Sequence, residues 1–132
     1  MSTHAPLSAS SLMLVMMLLL YMALGQKQPS GTFLPLKSPS ETDFVIIEID
    51  IDVALGYAAL ADTNKNIYFT DYQYKNGTMK FIFDEGDLEP LMKKYPKKIG
   101  NKTFNKVKVN KKMTQLTVVY LDKKPRIYEK AH

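Results

Sequence analysis

Between Phe44 and Val53 the chain reads FVIIEIDIDV, in which acidic and β-branched residues alternate almost without a break. Side chains point to opposite faces of a strand with period two, so Val45, Ile47, Ile49, Ile51 and Val53 share one face. Glu48, Asp50 and Asp52 share the other. The segment therefore predicts a strand with one side in a core and an acidic side in solvent. Similar strand signals recur downstream. Tyr57 to Ala61 is a short apolar run after Gly56, and Ile67 to Tyr74 (IYFTDYQY) is rich in aromatic residues. Asp62 to Asn66 between them has turn composition. Lys75-Asn76-Gly77 then introduces Thr78 to Asp84, and Asn-Gly between two strand-like runs is a strong hairpin signal.

One helix is expected next. Asp87 is placed as its N-cap, Leu88, Leu91, Met92 and Tyr95 form its apolar stripe, and Pro96 ends it. Thr103 to Asn110 and Thr114 to Leu121 read as two more strands, and Ile127-Tyr128 as a last edge pairing. The predicted fold is mostly β: a small antiparallel sheet or partly closed barrel of about six strands, with one helix inserted after the fourth. It occupies residues 43–132 as a single strand-rich domain. Residues 26–42 contain three prolines, three serines and Gly31, and read as an extended arm or linker that Phe33, Leu34 and Leu36 could pin to the domain.

The N-terminus carries a different signal. Leu12 to Leu24 is an apolar run of 13 residues. A spanning helix needs about 20, so the run fits the core of a signal peptide, residues 1–25. Ala23 and Gly25 would stand at the −3 and −1 positions of a cleavage site before Gln26. The expected product is extracellular, with no membrane span after cleavage. Two sequons, Asn76-Gly77-Thr78 and Asn101-Lys102-Thr103, fit that route and predict carbohydrate at Asn76 and Asn101.

The absences exclude much enzyme chemistry. The chain has no Cys, no Ser after Ser40, and after Gly25 only His132 as a histidine. Ser-His and Cys-His nucleophile systems cannot be assembled from such a set, nor can zinc sites built on His or Cys. The six glycines are scattered and form no phosphate loop. Carboxylates remain, and Glu48, Asp50 and Asp52 would suit a hard cation or glycoside hydrolysis. A solvated strand face explains them more simply, because no second acidic cluster can be placed beside them. No catalytic residue, metal ligand or cofactor is expected.

Charge is divided unevenly. Residues 26–90 hold 5 Lys against 11 Asp or Glu, a net −6, whereas residues 91–132 hold 12 Lys and one Arg against 2 acids, a net +11. Outside the cell a basic face meets sulfated glycans, anionic lipid or acidic proteins. Nucleic acid fits poorly, since the cations are nearly all Lys and Arg makes the better base and phosphate contacts. The candidate contacts are Lys93, Lys94, Lys97, Lys98, Lys102, Lys106 and Lys108. Lys106 and Lys108 alternate with Val107 and Val109 as the acids of the first strand alternate with isoleucines. This predicts the acidic and basic rows as neighbours, or one strand apart, on one solvent face.

Thr70-Asp71-Tyr72 resembles the start of the lipocalin Thr-Asp-Tyr motif, and the strand, strand, helix order around it is similar to the end of that barrel. The chain departs from that family in lacking the Gly-x-Trp signature, having no Trp at all, and only about 44 residues separate the cleavage site from the motif. The cystatin Gln-x-Val-x-Gly loop is also absent. Three functions are therefore expected in order: a secreted non-enzymatic protein binding an acidic glycan or protein, a structural component of an extracellular matrix or secreted coat, and a lipocalin-like carrier of a small apolar ligand. For the last, Tyr57, Phe69, Phe81, Phe83 and Tyr120 would line the interior.

Overall fold

The computed structural model describes residues 10–17, 27–37 and 43–132. Its eight strands are β1 (Gly31–Pro35), β2 (Ile46–Asp52), β3 (Tyr57–Asp62), β4 (Ile67–Lys75), β5 (Thr78–Phe83), β6 (Val107–Val109), β7 (Gln115–Val119) and β8 (Pro125–Lys130). Each strand pairs antiparallel with the next in sequence, and β1 also pairs with β8, so the sheet closes into a barrel. A short helix, Leu88–Lys94, stands between β5 and β6.

The mostly-β expectation holds, with two corrections. There are eight strands rather than about six, and the barrel is closed. Both changes come from the chain's ends. Gly31–Pro35, expected within an arm outside the domain, is β1 and joins β2 to β8 through the pairs Phe33↔Ile49 and Phe33↔Lys130. The expected edge pairing at Ile127-Tyr128 is a full strand. Counting β1, the helix follows the fifth strand rather than the fourth. Residues 10–17 are helical, and among the described residues no helix is long and apolar enough to cross a membrane. The expected cleavage site before Gln26 and residues 38–42 of the arm lie outside the described residues.

Inside the barrel, alternation works as the sequence implies. Phe33, Ile49, Leu60, Met79, Phe81, Leu116, Val118 and Tyr128 are buried and belong to one core cluster. Each such Phe, Ile or Leu contributes about 1.5–3 kcal/mol relative to exposure. The alternation slips once, at a bulge between Ile46 and Glu48 in the pairing of β2 with β3. A bulge adds a residue and re-aims the side chains before it. Ile46 is consequently buried and Ile47 half-buried, the reverse of the expected order. Tyrosines satisfy the Ile46 backbone, which lies beyond the last pair of β1 with β2. Its N–H donates to the Tyr120 hydroxyl at 3.0 Å, and its carbonyl accepts from the Tyr128 hydroxyl at 2.7 Å.

The two ends of the barrel are built differently. At one end lie the turns 53–56, 76–77 and 110–114, and residues 27–30 cross it, with Pro29 buried and the Tyr72 hydroxyl donating to Gln28 Oε1 at 3.1 Å. We call it the hairpin end. The other, the helix end, is covered by residues 84–106. Leu91, Ile99 and Phe104 are buried there, Tyr95 Oη lies 2.9 Å from Thr63 Oγ1, and Leu121 N–H donates to the Lys98 carbonyl at 2.8 Å. Asp87 occupies the expected N-cap position but makes no side-chain cap bond. The expected strand Thr103 to Asn110 shortens to Val107–Val109, because residues 101–104 turn to cover the barrel mouth.

Candidate functional site

The outer surface follows from strand register. On β2, Glu48, Asp50 and Asp52 face outward as expected. Their cross-strand neighbours are uncharged: Asp50 opposes Thr32 of β1 and Ala59 of β3, and Glu48 opposes Ala61. The next strand outward is apolar, since Ala59 pairs with Phe69 and Ala61 with Ile67. Phe69 is 57% exposed and Ile67 59%, and Phe69 makes an edge contact with Tyr57 at 5.9 Å between ring centroids. The result is an acidic wall over β1–β4. The small side chains of β3 form its floor, with carboxylates along one side and aliphatic and aromatic groups along the other. Two open hollows flank Tyr57. One, of about 570 Å³, includes Thr32, Asp50, Asp52 and Ala59 in its lining; the other, of about 290 Å³, includes Phe69, Asp71 and Asp84.

Within the acidic row the Thr32 hydroxyl donates to the Asp50 carboxylate. The neighbouring Asp50 carboxyl, through a hydrogen bond and its charge, together with partial burial, pushes the Glu48 carboxyl above its ordinary range. Among the described residues no three His, Cys, Asp or Glu side chains are grouped so as to hold a metal ion.

Lys106 and Lys108 lie elsewhere. Three strands separate β2 from β6 in either direction around the barrel, so the acidic and basic rows occupy opposite walls. The expected adjacency is overturned. Lys108 opposes Thr78 of β5 and Thr117 of β7, so neither cross-strand neighbour is an acid. The physical reason is closure: two strands that could neighbour each other in a small open sheet stand half a turn apart in an eight-strand ring. The same register, with Met79 opposite Val107, brings Lys80 beside Lys106. Lys75, opposite Thr78, extends the row towards the hairpin end. Lys75, Lys80, Lys106 and Lys108 are exposed and form no ion pair among the described residues. Lys75 and Lys80 were not among the candidates from sequence, although the alternation of Thr78 to Asp84 turns Lys80 away from Met79 and Phe81.

The remaining candidates gather at the helix end. Lys93 pairs with Glu89 one helical turn away at 3.3 Å, an exposed contact of little energetic weight. Lys94 lies 5.8 Å from the Tyr95 ring centroid. Lys97 and Lys102 are exposed in the following turns. Lys98 is engaged by the fold itself, bridging Asp43 at 2.5 Å and Asp122 at 3.2 Å, and the hydrogen bond to Asp43 helps hold its ammonium pKa above the ordinary value. Arg126 is likewise consumed. It is buried, grips Asp122 through both terminal nitrogens, and stacks 4.5 Å from the Tyr120 ring centroid.

Asn76 and Asn101 are both exposed in turns, Asn76 at the hairpin end and Asn101 at the helix end. Of the aromatic residues expected to line an interior, Phe81 and Tyr120 are buried and Phe83 is half-buried, whereas Phe69 points outward and Tyr57 lies on the outer wall. Thr70-Asp71-Tyr72 falls in β4, in the middle of the barrel rather than towards its end. No family model matches the chain, and neither a curated protein nor a solved structure matches it.

Proposed function

We propose that this is a secreted, non-enzymatic binding protein whose lysine wall engages an acidic extracellular partner, a glycan or a protein. The observation that carries the reading is the separation of its cations into two sets. Arg126 and Lys98 are consumed in holding the helix end together, while Lys75, Lys80, Lys106 and Lys108 share the outer face of β4–β6 with no acid opposite them. Exposed lysines that form no ion pair among the described residues create a positive potential that attracts polyanions. Lys93, Lys94, Lys97 and Lys102 extend the basic surface around the helix end. Carbohydrate at Asn76 and Asn101 would bracket this surface without covering its middle.

Retention of the mature protein on a heparin column tests the reading. Elution well above physiological ionic strength is expected, with K80E/K108E eluting markedly earlier. Elution of the unaltered protein near physiological salt would count against it.

The matrix or coat reading gains support from the opposite wall, which adds an acidic and apolar surface to the basic one. A carrier of small apolar ligands would instead need room along the axis, where Phe33, Ile49, Leu60, Met79, Leu116 and Tyr128 are already packed.

A further inference from the structure

We infer that the acidic wall over β1–β4 is a docking surface for the lysine wall of a second copy of this chain, so that barrels associate head to tail. The inference rests on the lysine wall being a binding surface, and names a partner for it.

Three observations point to this occupant. First, the spacing of the charges matches. Glu48, Asp50 and Asp52 recur every second residue of β2, and Lys106 and Lys108 recur every second residue approaching and within β6. Both rows therefore repeat at about 6.6–6.8 Å, and one can lie against the other with successive charges opposed. Second, the groove suits lysine in shape and chemistry. Asp50, Ala59 and Phe69 stand in register across β2, β3 and β4. The carboxylate and the ring are thus carried by strands about 10 Å apart, over a floor of one methyl group. A long unbranched side chain can lay its methylenes along Phe69 and Ile67 and bring its ammonium to the carboxylates. The Phe69 ring face adds attraction for a cation. Third, among the described residues neither row has a charged partner opposite it. Asp50 is opposed by Thr32 and Ala59, and Lys108 by Thr78 and Thr117.

The geometry also fixes the kind of assembly. The two surfaces differ, and their charged rows on β2 and β6 lie half a turn apart around the barrel, so one contact leaves an acidic row free on one copy and a lysine row free on the other. Such heterologous contacts propagate into rings or filaments rather than stopping at a dimer. A protein built this way would be soluble when dilute and would assemble when concentrated.

Sedimentation velocity on the secreted protein tests the inference, with two charge-reversed variants whose folding is checked by circular dichroism. K80E/K108E keeps the acidic wall and loses the basic one; E48K/D50K does the reverse. At low salt, about 50 mM, the unaltered protein should form a concentration-dependent series of oligomers. These should collapse to monomer near 500 mM, where the Debye length falls to a few ångströms. Each variant alone should stay monomeric. Mixed together, they should form 1:1 dimers and nothing longer, since only one complementary pair of walls remains. Should E48K/D50K fail to fold, Phe69→Lys replaces it, because that side chain is already in solvent. A monomeric unaltered protein at every salt and concentration, or variants that remain monomeric when mixed, would overturn the inference. Heparin retention separates the two readings. If E48K/D50K binds heparin as the unaltered protein does and no oligomers form, the polyanion reading survives and this one fails. If oligomers form and heparin is not retained, the acidic partner is the chain itself.

Discussion

The Tyr120 hydroxyl lies 2.7 Å from that of Tyr128, deep in the barrel and 8 residues away along the chain. The direction of this bond can be read from its neighbours. Tyr128 donates its proton to the Ile46 carbonyl, so Tyr120 must donate to Tyr128, leaving the Tyr120 oxygen to accept from the Ile46 and Val45 N–H groups. Two hydroxyls thereby satisfy the backbone of β2 beyond its last pair with β1, Phe33↔Ile49.

Tyr128→Phe should therefore destabilise the protein by about 1–3 kcal/mol, the cost of leaving a buried acceptor unpaired. Tyr72→Phe, which removes a half-buried hydroxyl bonded to Gln28, should cost less, about 0.5–1.5 kcal/mol. Urea denaturation of the two variants checks the order. Equal losses would mean that the Ile46 carbonyl finds another donor.

The Asp122–Arg126 contact predicts an acid-sensitive helix end. Hydrogen bonds from Arg126, with help from Lys124 N–H and Lys98, outweigh burial and hold the Asp122 carboxyl well below the ordinary carboxylate range. Because the folded value is depressed, its stabilisation is complete above the unfolded value of about 3.9 and drains away as pH falls through and below it. Asp122→Asn should be less stable than the unaltered protein at pH 7 by about 1.5–3 kcal/mol, as expected for bonds to a charged group. The gap should narrow steadily between about pH 5 and pH 2. Thermal unfolding across that range measures it, and a pH-independent gap would contradict the assignment.

At the β4–β5 turn, Asn76 and Gly77 have φ of 51° and 79°. Positive φ at both central residues is the twist a tight hairpin requires. A Cβ added to Gly77 would meet only the Val109 carbonyl oxygen, at an ordinary 3.7 Å. Gly77→Ala should consequently lose about 1–2 kcal/mol through backbone strain alone, seen as a lower urea midpoint with an unchanged slope. A neutral substitution would show that the turn relaxes.

Lys98 and Lys108 should separate stability from binding. Lys98→Met removes both ion pairs of a half-buried side chain and should lower the melting temperature, while heparin elution shifts little. Lys108→Met should leave the melting temperature nearly unchanged and advance elution. Calorimetry and salt-gradient chromatography on the same preparations read both, and matched shifts in the two variants would dissolve the distinction.

Strand identity was largely legible because period-two alternation is local: the apolar faces of Ile49 and Ile51, and of Met79 and Phe81, are written in the sequence. Closure was not legible. Gly31–Pro35 has two prolines within a few residues and only Phe33 as a buried anchor, and its membership of the sheet depends on partners from distant parts of the chain. The basic wall was partly legible for the same reason. Lys106 and Lys108 stand out by alternation, whereas the place of Lys80 beside them depends on a pairing between β5 and β6 across a long connection. Nor did sequence distinguish Lys98 from its neighbours, since Asp43 and Asp122 reach it only once the helix end is assembled.

Because β1 is held on both sides, by β2 through Phe33↔Ile49 and by β8 through Phe33↔Lys130, the ring has its clasp where the earliest and latest strands meet. Contacts of such long sequence separation form slowly. Until β1 meets β8, those two strands are unprotected edges with free backbone donors and acceptors, open to addition by any extended chain. The same five residues that finish one barrel can finish a neighbour's. Nascent molecules at high local concentration are thus exposed to strand exchange during the interval before each ring is fastened.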